Sequence, residues 1–437
     1  MFLFLHHLND IIWGAPMIVL LLGTHLFFTI YLKGIQRHIF SGIRYSITPE
    51  RGAKGASGFP ALAAMLAATL GTGNIIGIST AVAAGGPGAI FWCLITGILG
   101  IATSYAECFL SLSNRLPTKS PSGKTTRFHG GPMYVLAAIG KKKMAAFYAC
   151  AIIFTSFGVG VTTQINAVSS TLLEFYRLPP WIPGITGAVL VSLVIVKGST
   201  HIQKVCTKLV PAMSLFYIIG CVFILYLNRS FLLDATLLIL KQAWSVKAAG
   251  SGFLGGSMML ALRYGVARGL YTSEAGLGSS AIAAAAADTD NPVRQSLISM
   301  TASFWDTIVM CTITGLVIIT NLMAHPSNSS YSDGSLTTAA FLSIPHIGVP
   351  MLVISLCAFA LATMIGWYAF GEQAVRFLKP ESAHAVPFYQ FSYLIMAFAG
   401  AILSLEAVWE FADFFNALLV LPNLYVLYAL KKTIQTP

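Results

Sequence analysis

The stretch FPALAAMLAATLGTGNIIGISTAVAAGGPGAIFW, residues 59–92, decides how the chain is read. It carries no charged residue and begins as a membrane helix would, yet its centre is Gly71-Thr72-Gly73-Asn74. Glycine disfavours helix by about 1 kcal/mol relative to alanine. In a bilayer, broken backbone persists only where protein or a water-lined cavity satisfies the freed N–H and C=O groups. A span broken at mid-membrane therefore turns backbone dipoles towards a site, and in secondary transporters such breaks hold ions and substrates. The same glycines could instead serve close helix packing through small-xxx-small contacts.

The rest of the chain fits a membrane setting. Of its 437 residues, 56% are hydrophobic and only 9% charged, with a mean hydropathy of +0.77. Soluble domains carry about 25% charged residues, so the composition is that of an all-α polytopic membrane protein. The opening MFLFLHHLND has no basic residue before its apolar run and no small-residue cleavage site, unlike a secretory signal peptide. Seven cysteines lie in or beside apolar segments without a CxxC pair, which predicts free thiols rather than a zinc site or a disulfide framework.

A spanning helix needs about 20 apolar residues. Eleven are expected, near 11–32, 59–84, 88–113, 144–171, 181–197, 209–228, 250–265, 296–323, 349–373, 386–404 and 408–430. With the N-terminus outside and the C-terminus cytoplasmic, 22 of the 26 basic residues fall in inside segments, leaving Arg177, Arg229, Lys241 and Lys247 outside. The positive-inside rule thus supports both the orientation and the count. It also explains the net charge of +11 without nucleic acid.

The seventh span opens with a second glycine cluster, Gly250 to Gly256. Broken helices five apart run in opposite directions, as in a five-plus-five inverted repeat behind one extra helix. The expected organisation is a single transporter domain over 1–437. It divides into an extra helix and loop (1–50), a first repeat (57–230), a second repeat (236–406), and a last helix with its tail (407–437). Residues 262–295 are too polar at Arg263, Arg268 and Glu274 to face lipid and are expected to form a helical hairpin or inner-gate element. Residues 324–347 read as a polar external loop.

Several side chains stand out inside the spans. Asp306 lies about ten residues into its helix, where a charge costs at least about 2.5 kcal/mol. It is read as a functional group, such as a polar relay, or as a helix–helix hydrogen bond. Gln164 and Asn166 bring amides that could suit a zwitterion or pack helices. Trp367 is read as a pocket wall, and Thr363, one turn earlier on the same face, as a hydroxyl able to ligate a small cation beside carbonyls near Leu70. Glu107 is expected to be neutralised by Arg115 or backbone, Glu372 to pair with Arg376, and His25 to be packed. Gly71-Thr72-Gly73 with Gly77 lacks the spacing and the βαβ setting of a dinucleotide fingerprint. No catalytic grouping is apparent, so an enzyme is not expected, and no cofactor is.

ATLGTGNIIGISTAVAAGGPGAIFW, HGGPMYV, LRYGVARGLYTSEAGLGSSAIAAAAADTDNPVRQ, FWDT and IGWYAFGE together resemble the alanine or glycine:cation symporter family. The opening LNDIIWGAP and closing VWEFADFFNALLVLPNLYVL do so too, so the likeness covers nearly the whole chain. It implies a leucine-transporter-type fold with one added N-terminal helix, and sodium-coupled uptake of alanine and glycine, in some members of either enantiomer. It implies that the first break is Thr69 to Asn74, the substrate-facing glutamine Gln164, the second break Gly252 to Ser257, and the pocket tryptophan Trp367. Isoleucine and serine in GNIIGIST, and Tyr271-Thr272-Ser273, depart from the family's usual residues and leave the substrate's size limit open.

The expected mechanism is symport across the plasma (inner) membrane, with the protein working as a monomer in the lipid bilayer. Backbone N–H groups of Thr72, Gly73 and Asn74 would hold a substrate carboxylate, and carbonyls with Gln164 the ammonium. Phe253, Ser257 and Trp367 would limit the side chain. Sodium would sit on carbonyls of Thr69 and Leu70 with the Thr363 hydroxyl. A proton-coupled permease is the alternative, and a cation channel a remoter one.

Overall fold

The computed structural model describes residues 7–9, 11–49, 58–119, 125–245, 258–326 and 333–437. In chain order the principal helices are α1 (Ala15–Tyr31), α2 (Ile39–Ile47), α3 (Phe59–Thr69), α4 (Ile76–Gly85), α5 (Gly88–Ser113), α6 (Pro132–Ala138), α7 (Lys142–Thr155), α8 (Thr163–Tyr176) and α9 (Trp181–Ile195). They continue as α10 (Ser199–Leu227), α11 (Leu232–Ala243), α12 (Met258–Ser273), α13 (Ser280–Ala285), α14 (Pro292–Ser303) and α15 (Thr312–Ala324). The last are α16 (Leu336–Leu342), α17 (Gly348–Leu378), α18 (Ala385–Ile402) and α19 (Leu405–Ala429). One antiparallel hairpin, β1 (Leu116–Lys119) with β2 (Thr125–His129), sits in the basic connection after α5, with Leu116 opposite His129.

Among the described residues, seven helices are long and apolar enough to cross a membrane, or up to nine if each of two bent pairs is one span. The bent pairs are Ala15–Tyr31 with Ile35–Ile47, at 69°, and Phe59–Thr69 with Thr72–Gly85, at 62°. Two of the eleven expected spans therefore do not qualify by length: α9, with 15 residues, and α12, with 16. Helix boundaries follow local chemistry. Gly86, at φ +72°, sends its N–H back to the Val82 carbonyl at 2.9 Å and ends α4, and Pro87 stands as the N-cap of α5. All seven cysteines are unpaired.

The helices pack as two groups. In one, α12 lies along α5 and α4, and α14 lies against α5 and α3. In the other, α9 and α8 pack on α18, and α17 packs on α7 and α8. The broken pair α3/α4 lies at the seam, because α3 also meets α17 and α10.

Three expectations change. Residues 250–257 of the span expected over 250–265, with the interruption expected there, lie outside the described residues; the helix that follows runs from Met258 to Ser273 and is interrupted at Glu274–Ser279, before α13. Where a helical hairpin or inner-gate element was expected, 262–295 comprise the rest of α12, the break, α13 and the start of α14. Of the polar residues there, Glu274 is buried at the break, Arg268 is half-buried, and Arg263, Asp288 and Asp290 are exposed. Secondly, Arg263 and Arg268 lie beside Asn9, Glu410 and Asp413, at the end of the bundle that the charge reading places outside. On the expected orientation the partition of basic residues becomes 20 to 6 instead of 22 to 4. Thirdly, 324–347 is not only a surface loop. Helix α16 folds back over α4: Leu336 N–H donates to Ser79 Oγ at 2.9 Å and Thr337 Oγ1 to the Ile75 carbonyl at 2.9 Å.

Candidate functional site

The first break starts where α3 can no longer continue. Leu70 N–H closes the last helical bond to Leu66 at 2.8 Å, and Gly71 then turns extended, with φ −116° and ψ −166°. Gly71 N–H is held by the Thr69 carbonyl at 2.9 Å and by Asn74 Oδ1 at 3.1 Å. Thr72–Asn74 form one tight turn, and the helix resumes at Ile76. Every residue from Thr69 to Ile75 is buried. The break is therefore a closed backbone feature, not a surface-exposed loop.

Two polar groups reach it from the facing helices. Gln164 Oε1 accepts from Thr72 N–H and Thr72 Oγ1, both at 3.0 Å, while its Nε2 donates to the Val159 carbonyl at 3.1 Å. Val159 lies in a π-helical turn, Ser156–Thr162, and such turns shift carbonyls out of the ordinary ladder. Thr363 Oγ1 donates to the Leu70 carbonyl at 3.2 Å. Thr69 borders the same spot, and its hydroxyl is buried without a hydrogen-bond partner. Oxygen donors of this kind suit a hard cation.

Asp306 approaches from a second π-helical segment, Phe304–Cys311. Its Oδ1 accepts from Asn74 Nδ2 at 2.7 Å and its Oδ2 from Thr307 Oγ1 at 2.8 Å. Asn74 is thereby oriented so that its own Oδ1 reaches Gly71 N–H. The chain Asp306–Asn74–Gly71 holds the turn.

The second break is held from a distance. Glu274, at φ +52°, and Gly276 and Gly278, at φ +93° and +77°, occupy the left-handed region. For a non-glycine residue this costs roughly 1–2 kcal/mol. Gly276 N–H donates to Glu107 Oε1 at 2.8 Å, and Asn423 Nδ2 bridges Glu107 Oε1 at 2.6 Å and the Gly276 carbonyl at 2.9 Å. Tyr148 Oη donates to the Leu277 carbonyl at 2.7 Å. Glu107 is thus engaged by backbone and amide, one of the two partners its position suggested.

The two breaks face one another across a cavity of about 10 Å³ lined by Thr69, Gly71, Gly73, Gln164, Tyr271, Thr272, Glu274 and Thr363, with Ala68 and Val159. That is room for about one water, so this conformation is closed around the seam. Thr69, Gly73, Gln164 and Thr363 come together as the sequence suggests, and Leu70 and Thr72 touch the same side chains. Trp367 is fully buried, packs on Gly160 and Phe370, and lies beside the Glu274 carboxyl that lines the cavity. Asn166 pins α8 to the end of α18, through the carbonyls of Gly400 at 2.9 Å and Leu403 at 2.7 Å. Phe253 and Ser257 lie outside the described residues, as does the Gly250–Gly256 cluster. His25 is packed, its Nδ1 2.8 Å from Thr103 Oγ1, and Glu372 pairs with Arg376 at 2.7 Å.

Tyr271, Thr272 and Glu274 are wall residues that the sequence reading noted, Glu274 as too polar for lipid and Tyr271-Thr272 as departures from the family, without placing them in the site. Their signal was present: YTSEAGLGS sets polar groups and two spaced glycines at the end of an apolar helix.

The sequence profile of the sodium:alanine symporter family matches residues 2–436. The sodium/alanine symporter AgcS of Methanococcus maripaludis is 39% identical, over 97% of this chain and 93% of its own length. An uncharacterised transporter of Haemophilus influenzae is also 39% identical, over 98% of this chain and 93% of its own. Among solved structures, a sodium-coupled sialic acid symporter superposes with a TM-score of 0.58, covering 97% of this chain and 99% of its own at 12% identity. The shared fold is that of leucine-transporter-type proteins.

Proposed function

The chain belongs to the sodium:alanine symporter family, and from that premise we propose that it imports small neutral amino acids, alanine and glycine, together with sodium by alternating access. The observation that carries this is the seam at the first break, where Thr363 Oγ1 meets the Leu70 carbonyl and Gln164 meets Thr72. Sodium sits on the Leu70 and Thr69 oxygens with Thr363. The substrate carboxylate approaches the backbone of Gly73 and Asn74. Gln164 orients Thr72, a change from the direct ammonium contact its amide first suggested, and Glu274 on the opposite wall supplies a carboxylate for the ammonium. Gly71 and Gly73 leave room for a methyl side chain once the closed cavity opens. Phe253 and Ser257 remain assigned to the substrate's side-chain end, and Trp367 supports the wall beside Glu274.

Transport follows from rocking the group containing α3–α5 and α12–α15 against the group containing α7–α9, α17 and α18. Eleven spans arranged as an extra helix and an inverted repeat, with the N-terminus outside, complete the picture, and the chain acts as a monomer in the inner membrane. Alanine is net neutral, so one sodium carries one charge inward, worth about 2.3 kcal/mol at 100 mV. A tenfold sodium gradient adds about 1.4 kcal/mol, and the two together support roughly 500-fold accumulation.

Labelled alanine uptake into proteoliposomes tests the reading. Uptake is expected with an imposed inward sodium gradient and not with a proton gradient alone. Uptake driven equally by protons without sodium establishes the proton-coupled alternative. Sodium flux without any amino-acid dependence establishes a channel.

A further inference from the structure

Helix α1 is tied to α19 near both of its ends. At the end assigned to the outside, Trp13 Nε1 donates to the Asp413 carbonyl at 3.0 Å. Towards the other end Tyr428 Oη donates to Thr24 Oγ1 at 3.2 Å, and its ring lies 5.2 Å from that of Phe27. Between these ties α1, α7 and α19 enclose an open groove of about 790 Å³. Helix α1 contributes Met17 and Leu20 to its walls, α7 contributes Met144 and Phe147, and α19 contributes Leu418 and Leu421. Of all the side chains along it, only Tyr425 carries an oxygen. Water finds almost nothing to bond to there, and an apolar surface of this extent calls for an apolar occupant.

Length and charge select that occupant. Along α19 the wall runs from Ala417 to Tyr425, about 12 Å at the helical rise of about 1.5 Å per residue, and α1 prolongs it outwards to Ile11. A hydrocarbon core of about 30 Å is shared by two leaflets, so one lipid chain reaches about 15 Å. At the inner end of the groove stand Lys141, Lys142 and Lys143, all exposed. Lys141 Nζ lies 5.8 Å over the ring of Tyr425, and Lys143 is one helical turn before Phe147 on the same face. Among the described residues, none of the three forms an ion pair. An apolar channel of one chain's length thus ends at a positive cluster that lacks its counter-charge. A second copy of this chain fits poorly, because parallel copies in one membrane bring the same lysines to the same level, where like charges repel.

We infer that this groove holds one acyl chain of an anionic phospholipid, with the lipid phosphate on Lys141 and Lys143. The lipid belongs to the leaflet on the side where those lysines stand. Its place gives it a consequence for the second break. Leu421 and Pro422 line the groove, and the next residue, Asn423, is buried and holds Glu107 and the Gly276 carbonyl. Pro422, inside α19, removes one of that helix's own hydrogen bonds. A chain seated in the groove therefore supports α19 where the helix is weakest and where it braces the break. This assignment is independent of what the protein transports.

Native mass spectrometry of the purified, delipidated full-length chain counts bound lipid and tests the inference. The parent is expected to hold one tightly bound dioleoyl phosphatidylglycerol. Dioleoyl phosphatidylcholine, with the same chains and no net charge, is not expected to displace it at equal concentration. Lys141→Gln together with Lys143→Gln is expected to weaken binding roughly 30-fold, about fivefold for each lysine. Leu421→Trp fills the groove from a side chain that is 65% exposed and is expected to abolish the bound molecule. Lys204→Gln together with Lys208→Gln removes two exposed lysines of α10 from another inside segment and is expected to change binding by less than about twofold. Thermal melting shows which variants are folded, and phosphatidylglycerol is expected to raise the parent's melting temperature more than phosphatidylcholine does. Equal binding of the two lipids by the parent overturns the inference, and so does equal loss in the α10 variant, since the charge effect is then general to that face of the membrane. A bound molecule that survives in the folded α7 variant or in folded Leu421→Trp overturns it too. A dimer that Leu421→Trp dissolves and lipid leaves intact makes the groove an interface between copies and likewise overturns it.

Discussion

Gly71→Ala is the substitution whose outcome the geometry constrains most tightly. The backbone there is extended, so alanine adopts it without strain, and no helical propensity is gained because the residue is not helical. What changes is one methyl group. Its carbon would stand 2.9 Å from Thr363 Oγ1 and 3.0 Å from Gln164 Oε1, against 3.4–4 Å for an ordinary contact. Both groups must retreat by about half an ångström, and they are the two that carry the ion and substrate assignments. Overpacking of this kind costs about 1–3 kcal/mol, which corresponds to roughly 5- to 150-fold in affinity. The assay is labelled alanine binding to purified protein across a sodium titration, with thermal melting beside it. Gly71→Ala is expected to remain folded, to bind alanine at least about fivefold more weakly, and to need more sodium. Gly23→Ala is the control, because a methyl there meets nothing within 4 Å. If Gly71→Ala keeps both alanine affinity and sodium dependence within about twofold of the parent, the seam is a packing interface and the assignment is refuted.

Other perturbations bear on separate parts of the argument. Thr363→Val keeps the side-chain shape but removes the oxygen beside the Leu70 carbonyl, and sodium affinity should fall about tenfold, or 1.4 kcal/mol, while alanine affinity recovers at saturating sodium. An unchanged sodium titration moves the ion elsewhere, with Asp306 the next candidate. Glu107→Gln keeps an oxygen able to accept from Gly276 and Asn423, whereas Glu107→Ala leaves both donors without it. The alanine variant should lose at least about 1–3 kcal/mol of stability and the glutamine variant less, read by thermal melting in detergent; equal melting points contradict the bracing role. Topology is checked with cysteines placed at Ser327 and Gln435 of a cysteine-free form. They should label from opposite sides of the membrane, and labelling of both from outside defeats the eleven-span arrangement.

The first break was legible in the sequence because a charge-free apolar run leaves a glycine-polar interruption nothing else to be. Gly71 to Asn74 is short, and its key bond, Asn74 Oδ1 to Gly71 N–H, is local. The position of Thr363 was legible too, as a hydroxyl one turn before Trp367 inside a span, and it does meet the Leu70 carbonyl. The second break was not, because two glycine-rich stretches compete for it, Gly250–Gly256 and Glu274–Ser279. Composition sees both as weak helix. It contains no record of the partners that satisfy the freed backbone groups at Glu274–Ser279. Those partners are Glu107, 169 residues from Gly276, and Asn423, 147 residues from it, and they meet only when α5 and α19 pack around the end of α12. The same holds for Arg263 and Arg268. Their charge argued for the cytoplasm by rule, but the position of the break along the helix set which end they occupy. Local chemistry thus determined that this chain breaks a membrane helix at Gly71. Which other segment breaks opposite it was decided by satisfaction of backbone hydrogen bonds across the assembled bundle, a property that no single segment possesses.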